Sequence, residues 1–221
     1  MAKKLFEKYK HGWVALYAFI YIPWFLYLEN TVTTDYNLIH MGIDDKIPFI
    51  EYFIIPYLLW FAYIAATIGY FFLFAEKSDF YRLIILLFSG MTLFLIISTV
   101  YPNGLDLRPD TFTRDNIFVD MVKNLYRADT PTNVLPSIHV YNSLGVYLAI
   151  AHNKKLRKYR LLQIGSFTLT VSIILSTMFL KQHSVVDVIG GCVMAGIIYS
   201  IVYRSERNHA ENLSRNLLKM H

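Results

Sequence analysis

Two stretches decide how this chain is read: Leu135-Pro136-Ser137-Ile138-His139, and Phe179-Leu180-Lys181-Gln182-His183-Ser184-Val185-Val186-Asp187. In each, a histidine stands where an apolar run begins. Asp187 follows His183 by about one helical turn, so the two share a helix face and can hydrogen-bond. A histidine held by a carboxylate and facing a second histidine suits nucleophilic or acid–base chemistry. The rest of the sequence reads as the frame that brings His139, His183 and Asp187 together.

The frame is apolar. Of 221 residues 55% are hydrophobic and 16% aromatic, and only 17% are charged, against about 25% charged in a soluble domain. The apolar residues fall in long runs, so the chain is read as one integral membrane domain over 1–221, with its core at about 10–203 and a polar tail at 204–221. Lys3, Lys4, Lys8 and Lys10 precede a first run too long for a signal core and without an Ala-x-Ala-like site, which implies a retained span. Cys192, the single cysteine, leaves no intrachain disulfide and is expected as a buried thiol.

Six candidate spans follow, at about 12–28, 49–75, 80–100, 137–151, 161–180 and 184–203, each near the ~20 residues that cross a bilayer. Helices are required because isolated strands leave unpaired backbone groups in lipid. The expected fold is therefore an all-α bundle of six transmembrane helices. The N-terminal segment, the 76–82 and 152–160 loops and the tail carry 15 of the 21 Lys and Arg; the other side carries 11 of the 16 acids. The positive-inside rule then puts both termini in the cytoplasm. His139, His183 and Arg108 fall together on the extracytoplasmic side of a membrane assigned as the plasma membrane. The basic excess is topogenic, with affinity for anionic lipid headgroups, and nothing points to nucleic acid.

The 101–136 loop is the one long polar segment, and length of that kind is usually functional. Pro102, Gly104, Pro109 and Pro131 suggest turns rather than a helix. Gly190, Gly191, Ala195 and Gly196 give the last span a small-residue face for close packing. His11, His40, His152, His209 and His221 have no ligand spacing and are expected at the surface. Trp13, Trp24 and Trp60 read as interfacial belts and packing. Glu51 is a loose candidate for a headgroup site.

The helices that begin at Ser137 and near His183 both point their N-termini at the outer face, where free N–H groups and the helix dipole favour phosphate. Ser137 can cap its helix or donate to a phosphoryl oxygen, Arg108 can fork onto phosphate oxygens, and Lys181 adds a point charge. Arg108-Pro109, then Pro136-Ser137-Ile138-His139, then Ser176 through His183 to Asp187 together resemble the three-motif signature of the type 2 phosphatidic acid phosphatase (lipid phosphate phosphatase) superfamily. Tyr101 stands at the place of that family's first lysine, Thr177 replaces its arginine after Ser176, and Ile138 replaces a glycine. Lys181, or Arg114, Lys123 or Arg127, would have to compensate for the two missing cations. The Pro-Ser-x-His form is also similar to the inositol phosphorylceramide synthase branch, whose members transfer a phospho-headgroup between lipids.

The resemblance implies a phosphoric monoester hydrolase acting on a lipid phosphate or diphosphate. In it His183 attacks phosphorus to form a phosphohistidine, Asp187 fixes the tautomer of His183, and His139 protonates the leaving group. Arg108, Ser137 and Lys181 hold the phosphate, and side-chain cations leave no need of a metal or cofactor. Two competing expectations remain: a phosphotransferase that passes the group to a lipid hydroxyl, and a non-catalytic lipid-binding or transporter-like protein.

Overall fold

A computed structural model describes residue 7 and residues 9–218, with side chains for residue 7 and residues 9–203. Seven α-helices carry the fold: α1 Ala18–Thr31, α2 Ile54–Phe74, α3 Lys77–Val100, α4 Ile117–Ala128, α5 Ile138–His152, α6 Arg160–Phe179 and α7 Val185–Leu218. A 3-10 stretch, Lys10–Tyr17, leads into α1. Five segments are long and apolar enough to cross a membrane: Lys10–Thr31, Glu51–Phe74, Lys77–Val100, Arg160–Phe179 and Val185–Tyr203. Their outward surfaces carry large apolar side chains such as Phe19, Phe61 and Leu161, while Ser143, Ser166, Thr170, Ser176 and Thr177 are buried between helices. That is the arrangement of a bundle whose solvent is lipid, where small polar residues make close helix contacts.

The remaining expected span, 137–151, is α5, which has 15 residues and so rises only ~22 Å at about 1.5 Å per residue. Ser137 caps it at one end and Asn153 stands at the other. Its short length reflects its position: α5 packs against α3, α6 and α7, and Val140, Tyr141, Val146 and Ala149 are almost fully buried. The Tyr141 hydroxyl donates to the Leu86 carbonyl on α3.

Three local expectations are corrected. The 101–136 loop contains a helix, α4, because Asn116 accepts from the N–H groups of Phe118 and Val119 at 3.0 Å each and Val119 and Val122 turn inward. The prolines bracket this helix and do not interrupt it. His11 is buried, since the first segment folds onto α2 and its Nε2 lies 3.1 Å from the Phe72 carbonyl. Cys192 is exposed on the outer side of α7. Of the small residues on α7, Gly190, Gly191 and Ala195 are at contacts, whereas a side chain at Gly196 would meet nothing within 4 Å. Of the expected surface histidines, His221 and the side chain of His209 lie outside the described residues, as do the side chains of the tail.

The loops at the end of the bundle that carries His139 are tied by one short parallel pair, β1 Asn37–Leu38 with β2 Asn103–Gly104. Buried Asn103 then accepts from the N–H groups of Val134 and Leu135 at 2.9 Å each. The 101–136 segment is thereby fixed immediately before the start of α5, and with it the position of His139.

Candidate active site

His139 stands on the first turn of α5 and His183 in the bend two residues before α7, and these two helices touch. Gly191 is the reason they touch: a Cβ there would lie 2.7 Å from the Ser137 carbonyl oxygen and 3.1 Å from Val140. The Ser137 N–H donates to the Asp187 carbonyl at 3.0 Å, and its hydroxyl accepts from Val140 N–H at 3.4 Å. Ser137 is fully buried and locks the start of α5 to the start of α7. The result is a His183 Nε2 to His139 Nδ1 distance of 3.4 Å.

Asp187 does two things at once. Its Oδ2 accepts from the Ser184 N–H at 2.9 Å while the Ser184 hydroxyl accepts from Val186 N–H at 3.1 Å, a reciprocal cap of the α7 N-terminus. The same Oδ2 lies 3.3 Å from His183 Nδ1. With that nitrogen donating its proton to the carboxylate, His183 presents the Nε2 lone pair towards His139. His139 has no carboxylate partner; its ring lies 4.8 Å from Tyr57 and 4.5 Å from Trp60, centroid to centroid.

The candidate phosphate ligands are placed as follows. Arg108 donates to the carbonyls of Tyr126 at 3.2 Å and Asp129 at 2.9 Å and to Gln182 Oε1 at 2.6 Å, and lies 4.5 Å over the Tyr126 ring. Burial lowers its pKa, opposed chiefly by the nearby Asp129. Lys181 ends α6 with a positive φ of 53°. The N–H of Gln182 reaches the Thr177 carbonyl and that of Lys181 the Met178 carbonyl, the two bonds of a Schellman motif. Its ammonium donates to the Asp44 carbonyl at 2.7 Å. Arg114 pairs with Glu51 at 3.0 Å, Lys123 with Asp120 at 3.3 Å, and Arg127 donates to Asn124 at 3.3 Å. Glu51, loosely expected at a headgroup site, is buried against Arg114 and Asn116.

Sequence reasoning missed three acids. Asp44, in the loop after β1, accepts from the Val185 N–H at 2.9 Å and the Ser184 hydroxyl at 2.6 Å. The anion at the N-terminus of α7 is therefore the chain's own carboxylate. Glu29, at the end of α1, accepts from the Thr130 hydroxyl at 2.6 Å and the Asn133 amide at 3.1 Å. Asp129 follows α4, with its Oδ2 3.5 Å from the Tyr57 hydroxyl; burial raises its pKa. Glu29, Asp129, Asn133, Gln182, His139 and His183 line one cleft. No local pattern marks these acids, because their partners lie far away in the chain.

Eight buried side-chain polar atoms among the described residues have no partner within the protein; Asn133 Oδ1 and Gln182 Nε2 belong to residues that line this cleft, and Trp60 Nε1, Arg108 Nε and Asp187 Oδ1 to residues that touch its lining. Unpaired buried polar atoms are rare and costly in folded proteins, so their concentration marks a place built to receive a polar ligand. The family model of the PAP2 superfamily matches residues 83–211. The chain belongs to the PAP2 superfamily. Its members are phosphatases and phosphotransferases, and the matched region holds His139, His183, Asp187, Arg108, Ser137 and Lys181. It leaves out α1 and α2, and with them Glu29, Tyr57 and Trp60. No curated protein and no solved structure matches the chain.

Proposed function

We propose that this PAP2 superfamily chain is a metal-independent lipid phosphatase that cleaves a lipid phosphate ester through a phosphohistidine on His183. The observation that carries the proposal is the approach of His183 Nε2 to His139 at 3.4 Å with Asp187 behind Nδ1 at 3.3 Å. His183 Nε2 attacks phosphorus as the ester P–O bond breaks, and His139 gives its proton to the departing alkoxide. Asp187 holds the tautomer and stabilises the imidazolium that develops. Water then attacks phosphorus, passes its proton to His139, and the N–P bond breaks.

Arg108 carries the phosphoryl oxygens, with its unpaired Nε in reserve. Ser137 acts through position, setting the start of α5, and Lys181 contributes long-range charge from the loop beside Asp44. The topology that goes with this proposal has six spans, α5 being the short central one, both termini in the cytoplasm and the histidines at the extracytoplasmic face of the plasma membrane. The distribution of Lys and Arg supports it.

A second reading, transfer to a lipid hydroxyl instead of water, draws support from the pair of acids in the cleft and the absence of a second nearby cation among the described residues. A site for phosphate monoester dianions should hold more positive charge. The deciding experiment incubates the purified chain and its His183→Ala variant with phosphorus-labelled lipids and follows diacylglycerol release and acid-labile protein-bound label. Label retained on His183→Ala, or full turnover by that variant, refutes the phosphohistidine.

A further inference from the structure

We propose that the lipid consumed is a zwitterionic phosphodiester, whose ammonium headgroup lies against Glu29 and Asp129 while its phosphate faces His183. This rests on the phosphohistidine proposed above and makes the ester cleaved at the same site a diester rather than the monoester of a lipid phosphatase.

Charge comes first. Arg108 is the one cation that closes on the cleft among the described residues, and three of its donor contacts go to two carbonyls and Gln182. Lys181, Arg114, Lys123 and Arg127 are held by Asp44, Glu51, Asp120 and Asn124. The N-terminus of α7, which would attract phosphate, is filled by Asp44. Against this stand Glu29 and Asp129 in the cleft wall. A monoester or diphosphate would bring at least two negative charges to a site with one arginine and two acids. A diester brings one, and an attached ammonium offsets it.

The chemistry of the lining agrees. Phe25 and Phe94 line the cleft next to Glu29, and aromatic faces attract an ammonium. Asn133 Oδ1 and Gln182 Nε2 are unpaired, one ready for a headgroup N–H and the other for a phosphoryl oxygen. Glu29 and Phe25 belong to α1, outside the matched region, so headgroup choice comes from a part of the chain separate from the catalytic motifs.

The chemistry balances with this donor. The His183–phosphorus bond forms as the bond from phosphorus to the diacylglycerol oxygen breaks, and that oxygen takes the proton of His139. The phosphorylated amino-alcohol stays on His183 until water or a lipid hydroxyl attacks, giving its proton to His139 as the N–P bond breaks.

The test traps the bound state. Full-length His183→Ala protein in nanodiscs is offered phosphatidylethanolamine, phosphatidylcholine, phosphatidylglycerol and phosphatidic acid of equal acyl chains, and retained lipid is measured by native mass spectrometry. The ammonium lipids are expected to be retained at least tenfold over phosphatidic acid and phosphatidylglycerol. Adding Glu29→Gln or Asp129→Asn should lower that ratio about tenfold, and the pair together should abolish it, with helical circular dichroism unchanged. Because either acid could serve the fold, Glu29→Asp is included and should keep most of the preference. Equal or tighter retention of phosphatidic acid or phosphatidylglycerol, or a ratio that ignores both acids in folded protein, overturns the proposal. The phosphohistidine fails separately: diacylglycerol release that survives His183→Ala refutes it whatever the binding preference shows.

Discussion

The two histidines are the same residue in two unlike settings. His183 has a carboxylate behind it at 3.3 Å and sits on a helix end capped by Ser184, Asp187 and Asp44. His139 has aromatic rings behind it, Tyr57 and Trp60, and no carboxylate. A carboxylate that takes the Nδ1 proton leaves the Nε2 lone pair free and stabilises the positive charge that forms on attack. His139 has no carboxylate to fix its tautomer, so it suits passing a proton on. The contrast supports the proposed division, with His183 as nucleophile and His139 as proton carrier.

The largest effect should come from exchanging these settings for alanine. His183→Ala is expected to lower turnover by at least 10⁴-fold for any leaving group, since no covalent step remains. His139→Ala should cost about 10²–10⁴-fold with an alkoxide leaving group, yet recover most of that loss in the first turnover of a nitrophenyl phosphate ester, which departs without a proton. Rescue of His183→Ala and not of His139→Ala, measured as nitrophenolate release, would reverse the assignment.

Asp187→Asn should follow, with about a 10³-fold loss in turnover, since an amide cannot stabilise the imidazolium. Because Asp187 also caps α7, Ser184→Ala is the control: losing the hydroxyl cap costs about 1 kcal/mol of stability but leaves His183 its carboxylate. If the two variants lose equal activity, the contribution of Asp187 is the cap alone. Gly191→Val comes next. Its side chain would enter the 2.7 Å space before the Ser137 carbonyl and part the two helix starts, and a shift of about 1 Å in a reacting pair costs about 10²-fold. Both histidines would be intact, so normal turnover by a folded Gly191→Val would show that their contact does not matter.

What the sequence disclosed follows the same division. Five of the spans and the meeting of His139, His183 and Asp187 were legible because their signals are local: apolar runs, a histidine at each helix start, and Asp187 four residues after His183. The family-like order of Arg108, Ser137 and His183 was legible for the same reason. The wall of the cleft was not. Glu29 reads as one acid at the end of a span, and only contact with Thr130 and Asn133 turns it inward. Asp44 reads as a loop residue, and only β1 and the loop after it bring it to α7. Helix α4 was hidden by the flanking prolines, although Asn116 before Ile117 is a cap signal that could have located it. Cys192 and His11 were misplaced by general tendencies, since an apolar neighbourhood does not tell a lipid-facing side from a protein-facing one.

The smallest effect tests the side of the cleft on which His139 stands. Its carboxylate is one step removed: Asp129 reaches the Tyr57 hydroxyl at 3.5 Å, and Tyr57 packs tilted against the ring. Burial raises the pKa of Asp129, so the folded protein binds its proton more tightly than the unfolded chain does. Stability from this group is full below the ordinary carboxylate pKa and declines as pH rises through the raised folded value. Asp129→Asn removes that decline. At pH 7 the variant should therefore unfold about 2–4 °C higher in detergent, at pH 4 it should match the parent, and its turnover of ammonium lipids should still fall. A variant that is less stable at pH 7 would show that Asp129 is held by its neighbours rather than strained among them. The carboxylate on the His139 side would then be a structural partner, as Asp187 is to the cap of α7, and the difference between the two histidines would narrow to their rings.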